Sequence, residues 1–234
     1  MTNEVILILS LVFIYSGVLL WYKLFGKTGL LVFNIVAAIA ANIEAVILIN
    51  AFGMEQTLGN VLFAATFLVT DILSEKYGKE CADKTVYISI ASYITFILIT
   101  QSWSLYIPSP NDISHPMVTA IFSSTARLMI SSIVVYAIVQ KFDVWAYHKW
   151  WAFTTKKCGD STKFLWLRNN GSTLISQLLN TVFFTFAAFG GTYSLDTIMS
   201  IIISSYIIFI FTSLLDTPII YMARKITPLS EKQK

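Results

Sequence analysis

The lysine and arginine residues of this chain are sorted into alternate gaps between long apolar runs. A helix needs about 20 mostly apolar residues to cross a bilayer, and seven runs meet that requirement: residues 4–22, 29–52, 57–74, 85–107, 117–140, 172–190 and 196–223. Every Lys and Arg except Arg127 lies in the first, third or fifth gap or in the C-terminal tail. Because cytoplasmic loops retain the positive residues, this pattern predicts an all-α integral membrane protein with seven transmembrane helices. The N-terminus is expected outside and the C-terminus inside.

The composition leaves no room for a second domain. Hydrophobic residues make up 56% of the chain and charged residues 12%, which excludes an ordinary soluble domain. Seven helices use most of the 234 residues, so residues 1–234 are predicted to form a single transmembrane domain. The net charge of +3 comes from the cytoplasmic loops and suits contact with anionic lipid. No nucleic-acid partner is expected.

Two of the gaps carry structural predictions of their own. The second gap, residues 53–56, is so short that it predicts only a turn between two antiparallel helices. The fifth gap is long, and its segment 143–151 holds three Trp and one Tyr. These residue types favour the headgroup level of a membrane, so the segment predicts a separate helix lying on the inner leaflet.

Arg127 and Glu44 are charged residues well inside apolar runs, where a charge costs roughly 2.5–3.5 kcal/mol on insertion scales. Arg127 lies about ten residues into the fifth run. It could be a donor fork in a substrate or coupling site, or a structural clamp on a carboxylate or on the carbonyl groups of a neighbouring helix. Glu44 lies in the second run and could pair with Arg127, bind substrate or carry a proton.

Further polar residues lie at the ends and along the faces of the runs. Asp71 and Glu75 are four residues apart and project from one helix face near the inner surface; taken alone, they fit solvated helix-end charges. Gln177 and Asn180 belong to a polar stripe at the start of the sixth run. The small hydroxyl residues of that stripe suit helix packing, whereas these two amides suit ligand recognition. Asp216 adds an inward-facing carboxylate to the last run.

Catalytic signatures are absent from the sequence. It contains no HExxH, GxSxG, P-loop or dinucleotide-binding motif, and both His residues fall in predicted loops, which excludes paired haem ligands within the membrane. The chain is therefore predicted not to be an enzyme and to need no cofactor, metal or catalytic residue. A polar interior of carboxylates, amides and one guanidinium is typical of a small-molecule transporter.

Several motifs follow one another along residues 35–223. The longest is Ala65-Thr-Phe-Leu-Val-Thr-Asp-Ile-Leu-Ser-Glu-Lys-Tyr-Gly78, and the others are Ala126-Arg127, Gln140-Lys-Phe-Asp143, Leu165-Trp-Leu-Arg168 with Ser172-Thr173, and Gln177-Leu-Leu-Asn180-Thr181. In this order they resemble the motifs of the queuosine precursor transporters, also called the vitamin uptake transporter family. Asn180 stands where that family commonly has Asp.

The resemblance implies a fold and a function. Six spans would form the family core, and residues 1–22 would add an N-terminal span that is peripheral to it. The protein would sit in the prokaryotic cytoplasmic membrane and import a 7-deazaguanine precursor of queuosine (preQ0, preQ1 or queuine) for tRNA modification. Its partners would be this small molecule and the lipid bilayer, and a homo-oligomer is left open.

The chemistry of a deazaguanine suits the polar residues already named. A carboxylate accepts from its ring N–H and exocyclic amine, Arg or an amide donates to its carbonyl group, and an aromatic ring stacks on its face. The expected substrate-binding residues are Asp71, Glu75, Arg127, Gln177 and Asn180. Glu44 and Asp216 are expected to serve in coupling or in an ion pair.

Two other functions are weighed beside this one. The first is a substrate-capture subunit of a vitamin or nucleobase uptake complex, which would need separate ATPase partners. The second and more remote is a membrane enzyme or a structural subunit, which the lack of any catalytic constellation disfavours.

Overall fold

The computed structural model describes residues 2–45, 47–123 and 126–231. Within them the chain forms a bundle of α-helices with one small β-hairpin. The elements in chain order are α1 (Asn3–Glu44), β1 (Leu48–Ala51), β2 (Met54–Thr57), α2 (Gly59–Tyr77), α3 (Lys79–Trp103), α4 (His115–Ser123), α5 (Ala126–Cys158), α6 (Leu165–Phe189), α7 (Leu195–Lys225) and a single 3₁₀ turn (Leu229–Glu231).

Helix α1 consists of two antiparallel arms, residues 3–25 and 27–44. Gly26 separates them with φ 60° and ψ −141°, a conformation in the left-handed region that glycine adopts without steric cost. The chain reverses at this residue, so the two arms run side by side. The start of the first arm then lies beside strand β1, where the Asn3 side chain donates to the Asn50 carbonyl at 2.9 Å. Residues 23–28 are the first predicted gap, so the turn lies where the charge pattern placed it.

A β-hairpin joins the second arm of α1 to α2. The prediction of a helix that reaches residue 52 is therefore wrong. Strand β1 pairs antiparallel with β2, and Ala51 lies opposite Met54. Phe52 and Gly53 form the turn with φ angles of 54° and 71°. Positive φ at both central residues is typical of a tight type I′ hairpin turn. The second arm of α1 therefore ends at Glu44.

Helix α2 occupies the centre of the bundle. Every residue from Ala64 to Ser74 is buried, and the helix packs against α1, α3, α5 and α7. The first arm of α1 also belongs to the core, because Tyr15, Val18 and Tyr22 are buried in the same apolar cluster as α2. The expectation that this first span is peripheral is thus wrong.

Helix α5 is continuous from Ala126 to Cys158, so the prediction of a separate helix over residues 143–151 is wrong. Val144 and Tyr147 are buried while Trp145 is 49% exposed, which is the pattern of a helix packed along one side. The predicted fifth run begins instead with the short helix α4. The connection through residues 124–125 lies outside the described residues.

Four of the described helices are long and apolar enough to cross a membrane by length and composition: α1, α3, α6, and α7 together with the turn that follows it. Helix α2 is not among them. Helix α2 carries polar residues that would be unfavourable against lipid. Because protein surrounds α2 on several sides, these residues contact other helices instead.

Candidate functional site

A small cavity of about 40 Å³ lies where the second arm of α1 and the start of α2 meet α5, α6 and α7. Small-molecule sites commonly measure roughly 300–1,000 Å³, so this cavity must widen before it can hold a ligand. The two helices approach closely here, since a Cβ atom on Gly59 would clash with the Ala41 carbonyl oxygen. Glycine and alanine at this contact therefore shape one side of the cavity.

Three amides and two hydroxyls line the cavity: Asn42, Asn60, Asn180, Thr57 and Ser132. The Asn42 amide donates to the Ala38 carbonyl at 2.7 Å, which leaves its oxygen as an acceptor. Among the residues that the structure describes, Asn180 has no side-chain hydrogen-bond partner although it is only 7% exposed. The lining thus offers both donors and acceptors to a ligand, without a charged group.

Aromatic rings form the remaining wall of the cavity, from Phe63, Phe184 and Phe209. The Phe63 ring lies 6.4 Å from the Phe209 ring and 6.1 Å from the Tyr136 ring, measured between centroids. Flat rings beside the unpaired amide of Asn180 suit a planar heterocycle, because the rings can contact its faces while the amide contacts its edge.

A hydrogen-bonded network supports one wall of the cavity, although Asn34 Oδ1 has no partner among the described residues. The Asn34 amide donates to Ser89 at 2.9 Å and to the Tyr136 hydroxyl at 3.0 Å. Asn34 lies two helical turns before Asn42 on α1, and its side chain is fully buried. Because Tyr136 also packs against Phe63, these bonds hold one aromatic wall in place.

Three buried aspartates lie deeper in the bundle, and we call them the aspartate cluster: Asp71 on α2, Asp143 on α5 and Asp216 on α7. All three have no exposed surface, and they interact electrostatically with one another. Asp71 lies 11 residues beyond Asn60, which is about 16 Å along an α-helix. The cluster is therefore separate from the cavity lining.

Helix α6 connects the cavity to the aspartate cluster. Its Thr173 hydroxyl donates to Asp71 Oδ2 at 3.1 Å, and Asn180 lines the cavity two turns further along. Gln177 lies between them, one turn from Thr173 on the same helix face. It is 1% exposed, and neither its amide oxygen nor its nitrogen has a partner among the described residues.

Glu75 forms a buried ion pair with Arg168 at the inner end of the cluster. Arg168 Nη2 lies 2.7 Å from Glu75 Oε2 and 2.8 Å from Oε1, and the exposed fractions of the two side chains are 0% and 5%. The Tyr147 hydroxyl donates to the same carboxylate at 2.8 Å. Arg224 adds a second contact at 3.4 Å. Both oxygens of Glu75 are therefore occupied by protein groups.

The remaining donors of Arg168 are also used. Its Nη1 donates to the carbonyl groups of Ser161 and Lys163 at 3.3 and 3.0 Å, and its guanidinium lies 4.3 Å from the Trp151 ring centroid. A buried charge is tolerated when it is paired and its hydrogen bonds are made. Arg168 thus joins α2, α5, α6 and the loop before α6.

Arg127 is the second residue of α5 and lies beside the C-terminal end of α6. Its Nε donates to the Ala187 carbonyl at 2.9 Å and its Nη2 to the Gly190 carbonyl at 2.6 Å. The last carbonyl groups of a helix lack partners within the helix, and a cation there also complements the helix dipole. These contacts fit the structural clamp on carbonyl groups, and a role of Arg127 in substrate binding stays a prediction.

Glu44 is not at the middle of a helix. It is the last residue of α1 and is half-buried beside the β-hairpin, because the second arm ends eight residues earlier than expected. None of the ion pairs among the described residues joins Glu44 to Arg127. The fully buried carboxylates are instead those of the aspartate cluster, which includes Asp71 and Asp216.

Two residues of this interior were not singled out from the sequence. Asp143 and Arg168 belong to motifs quoted for the family resemblance, but both fall in the gap that was assigned to a cytoplasmic loop. Their position in those motifs is the sequence feature that indicates a role in the interior. A charge count treats every residue between two apolar runs as solvated, whereas α5 and α6 extend beyond the runs and bury both side chains.

Comparisons with known proteins agree with the transporter-like interior. Residues 57–223 match a family model described as "Putative vitamin uptake transporter". A protein of Bacillus subtilis (strain 168) named "Probable queuosine precursor transporter" is 38% identical over 215 residues, which is 92% of each chain. No solved structure matches this chain.

Proposed function

Because the chain belongs to the vitamin uptake transporter family, we propose that it imports a 7-deazaguanine precursor of queuosine, namely preQ0, preQ1 or queuine. It is a transporter and not an enzyme, and a multi-pass protein of the cell membrane. The imported base would serve tRNA modification inside the cell. The relative from Bacillus subtilis supports this substrate class by its name.

The observation that carries the proposal is the cavity lined by amides and phenylalanine rings. A deazaguanine is planar, which suits walls formed by Phe63 and Phe209. Its edge carries N–H donors and a carbonyl acceptor, which suit the unpaired amide of Asn180. An uncharged lining also suits the ring system of a deazaguanine, which is neutral, since each of its hydrogen bonds can form without burying an unpaired charge.

We propose that Asn180 and Gln177 contact the substrate first and that Asp71 lies on its route inward. The order follows α6, where Asn180 lines the cavity, Gln177 is one turn deeper, and Thr173 bonds Asp71. Glu75 and Arg127 contribute indirectly in this proposal, because their polar atoms already bind protein groups. They hold the helices on which the substrate-contacting residues lie.

We further propose one transmembrane domain over residues 1–234 that crosses the membrane seven times. The two arms of α1, helices α2 and α3, the α4–α5 segment, α6 and α7 would each cross once, with the N-terminus outside. Two contacts that mark opposite ends of the bundle support this arrangement. Tyr77 donates to Glu231 near the Gly26 turn at one end, and Asn3 donates to Asn50 at the other. The first of these ends carries the Lys and Arg residues apart from Arg127, as the rule for cytoplasmic loops requires.

Cysteine tags test this topology. Tags at Asn111 and Thr192 are expected to react with an impermeant reagent in intact cells, and tags at Lys79 and Lys157 only after the membrane is opened. All four side chains are exposed in the structure, so a missing reaction cannot reflect burial in the bundle. A tag at Lys232, outside the described residues, should behave like Lys157. One inverted loop would contradict the seven-span arrangement.

Uptake in cells tests the function. A host that lacks its own queuosine synthesis and its own transporter is supplied with labelled preQ0, preQ1 or queuine. Expression of this protein is expected to restore queuosine in tRNA for at least one of the three bases. Cells that express Asn180→Leu serve as the matched control. If none of the three bases restores queuosine although the protein reaches the membrane, the proposed function is wrong.

A further inference from the structure

The aspartate cluster has many more hydrogen-bond acceptors than donors. Asp71 Oδ1 and both oxygens of Asp143 and Asp216 have no partner among the described residues. The side-chain oxygen of Asn169, which is fully buried, is also unpaired. Unpaired buried acceptors are costly, so bound protons or water molecules must supply the missing donors.

The neighbouring hydroxyl groups do not remove this deficit. Ser172 and Ser176 face Asp143, but each donates to a carbonyl group of its own helix at 2.9 Å. Tyr15 faces Asp216, and its hydroxyl donates to the Thr212 carbonyl at 3.4 Å. A hydroxyl has only one hydrogen to donate, so the carboxylates of Asp143 and Asp216 remain without donors.

No positive side chain pairs with a carboxylate of the cluster within the described ranges. The charged and titratable groups around it are Glu75 on α2, Tyr147 on α5, Arg168 on α6 and Tyr15 on α1. Arg168 is paired with Glu75. Tyr15 and Tyr147 are neutral groups, so the aspartates have only one another as charged neighbours besides this pair. Close carboxylates cannot all be ionised without a compensating proton or cation.

A proton fits this site better than a metal ion. Among the described residues, no three His, Cys, Asp or Glu side chains converge closely enough to hold a metal. Asp71 and Asp143 lie within hydrogen-bonding reach of each other, a contact that one shared proton would satisfy. Gln177 is unpaired and buried one turn from Thr173 on α6, between the cluster and the cavity.

We propose that Asp71, Asp143 and Asp216 form a proton-binding site that couples substrate import to an inward proton gradient. The inference rests on the proposed function, because it assigns the energy source of the same import. It places coupling at the aspartate cluster and away from Glu44, which lies at the end of α1. The substrate cavity and the proton site then share α6, so Gln177 and Thr173 link the two.

The test uses the purified full-length protein in liposomes, with labelled preQ0 outside and a trapped pH-sensitive dye. A pH gradient of about one unit, acidic outside, is expected to raise accumulation about tenfold for one coupled proton. An uncoupler should abolish the rise. Adding preQ0 without a gradient should acidify the interior. Replacing the proton gradient with a sodium gradient should drive no accumulation.

The variant that isolates the site is Asp143→Asn, which keeps the shape of the side chain and removes its proton chemistry. It is expected to retain preQ0 exchange between the two sides while losing accumulation driven by the gradient. Asp216→Asn provides a second variant if the first fails to fold. The control is Asp112→Asn, in an exposed loop, which should behave like the unmodified protein.

Accumulation that ignores the uncoupler, or that persists in both variants, would overturn the proton site. Net uptake of preQ0 that does not acidify the interior would also overturn it while leaving the proposed function intact. A wild-type protein that exchanges none of the three bases would contradict the proposed function together with this inference.

Discussion

Arg168→Gln is expected to lower the free energy of unfolding by about 3–5 kcal/mol, because it leaves the buried Glu75 carboxylate without its charge partner. Arg168 has no exposed surface and makes two bonds to Glu75 shorter than 3 Å. Gln is shorter and neutral, so it cannot replace the fork or reach the carbonyl groups of the loop before α6. The loss would be measured by equilibrium unfolding in mixed micelles.

A double variant separates the ion pair from the rest of the Arg168 contacts. Glu75→Gln alone should also be destabilising, since it leaves the guanidinium unpaired. Arg168→Gln with Glu75→Gln removes both charges, so its loss should be clearly smaller than the sum of the two single losses. The control is Lys163→Gln, whose side chain is 66% exposed and pairs with Asp160 at 3.7 Å. It should change stability by less than about 1 kcal/mol.

Two results would contradict the buried pair. One is an Arg168→Gln protein that unfolds like the unmodified protein. The other is strict additivity in the double variant, because independent losses would mean that Glu75 and Arg168 do not interact.

Asn180→Leu is expected to have the largest effect on substrate affinity. The unpaired amide lines the cavity, and replacing it would leave a donor or acceptor of the base unpaired. That costs about 1–3 kcal/mol, or roughly 5- to 150-fold in affinity. Leu is close to Asn in size, so the helix packing around position 180 should change little. The measurement is the concentration dependence of preQ0 exchange in liposomes.

Asn180→Asp distinguishes hydrogen bonding from mere shape. Asp keeps the size and the acceptor oxygen, and the resembling family commonly has Asp at this position. Its loss of affinity should therefore be smaller than that of Asn180→Leu. Asn111→Leu makes the same chemical change in an exposed loop and should leave exchange unaltered. Equal affinities for Asn180→Leu and the unmodified protein would move the substrate away from this cavity.

The turn between the two arms of α1 could be predicted from the sequence, whereas the strands of the β-hairpin could not. Charged residues around Gly26 interrupt an apolar run, and that interruption marks the end of a helix. Strand β1 continues the apolar run of the helix before it without interruption, so hydropathy cannot separate the strand from the helix. The gap at 53–56 predicts a turn between two helices, and the positive φ angles of Phe52 and Gly53 identify it as a hairpin turn.

The polar interior was predicted in part, for a reason that lies in the packing of helices. Asp71, Gln177 and Asn180 interrupt apolar runs, so they stand out as residues that need an interior position. Asp143 and Arg168 lie beyond the runs and look solvated by sequence alone. They are buried because α5 and α6 continue alongside α2 past the apolar stretch. Which helices face one another there is a tertiary property that hydropathy does not contain.

The partners of Arg127 and Glu44 could not be read from the sequence either. A lone Arg in an apolar run indicates that it needs acceptors, but not whether these are carboxylates or carbonyl groups. The structure supplies the carbonyl groups of Ala187 and Gly190. Glu44 was placed at mid-helix because the helix was expected to continue to residue 52.

The central claim is that this single chain binds a deazaguanine base in its cavity and carries it across a membrane without other proteins. The direct measurement is exchange of labelled preQ0, preQ1 and queuine by the purified protein in liposomes without ATP. We predict exchange of at least one base, lost in Asn180→Leu and retained in Asn111→Leu. No exchange by the purified protein, with uptake only when ATPase partners are present, would contradict the claim and identify a substrate-capture subunit.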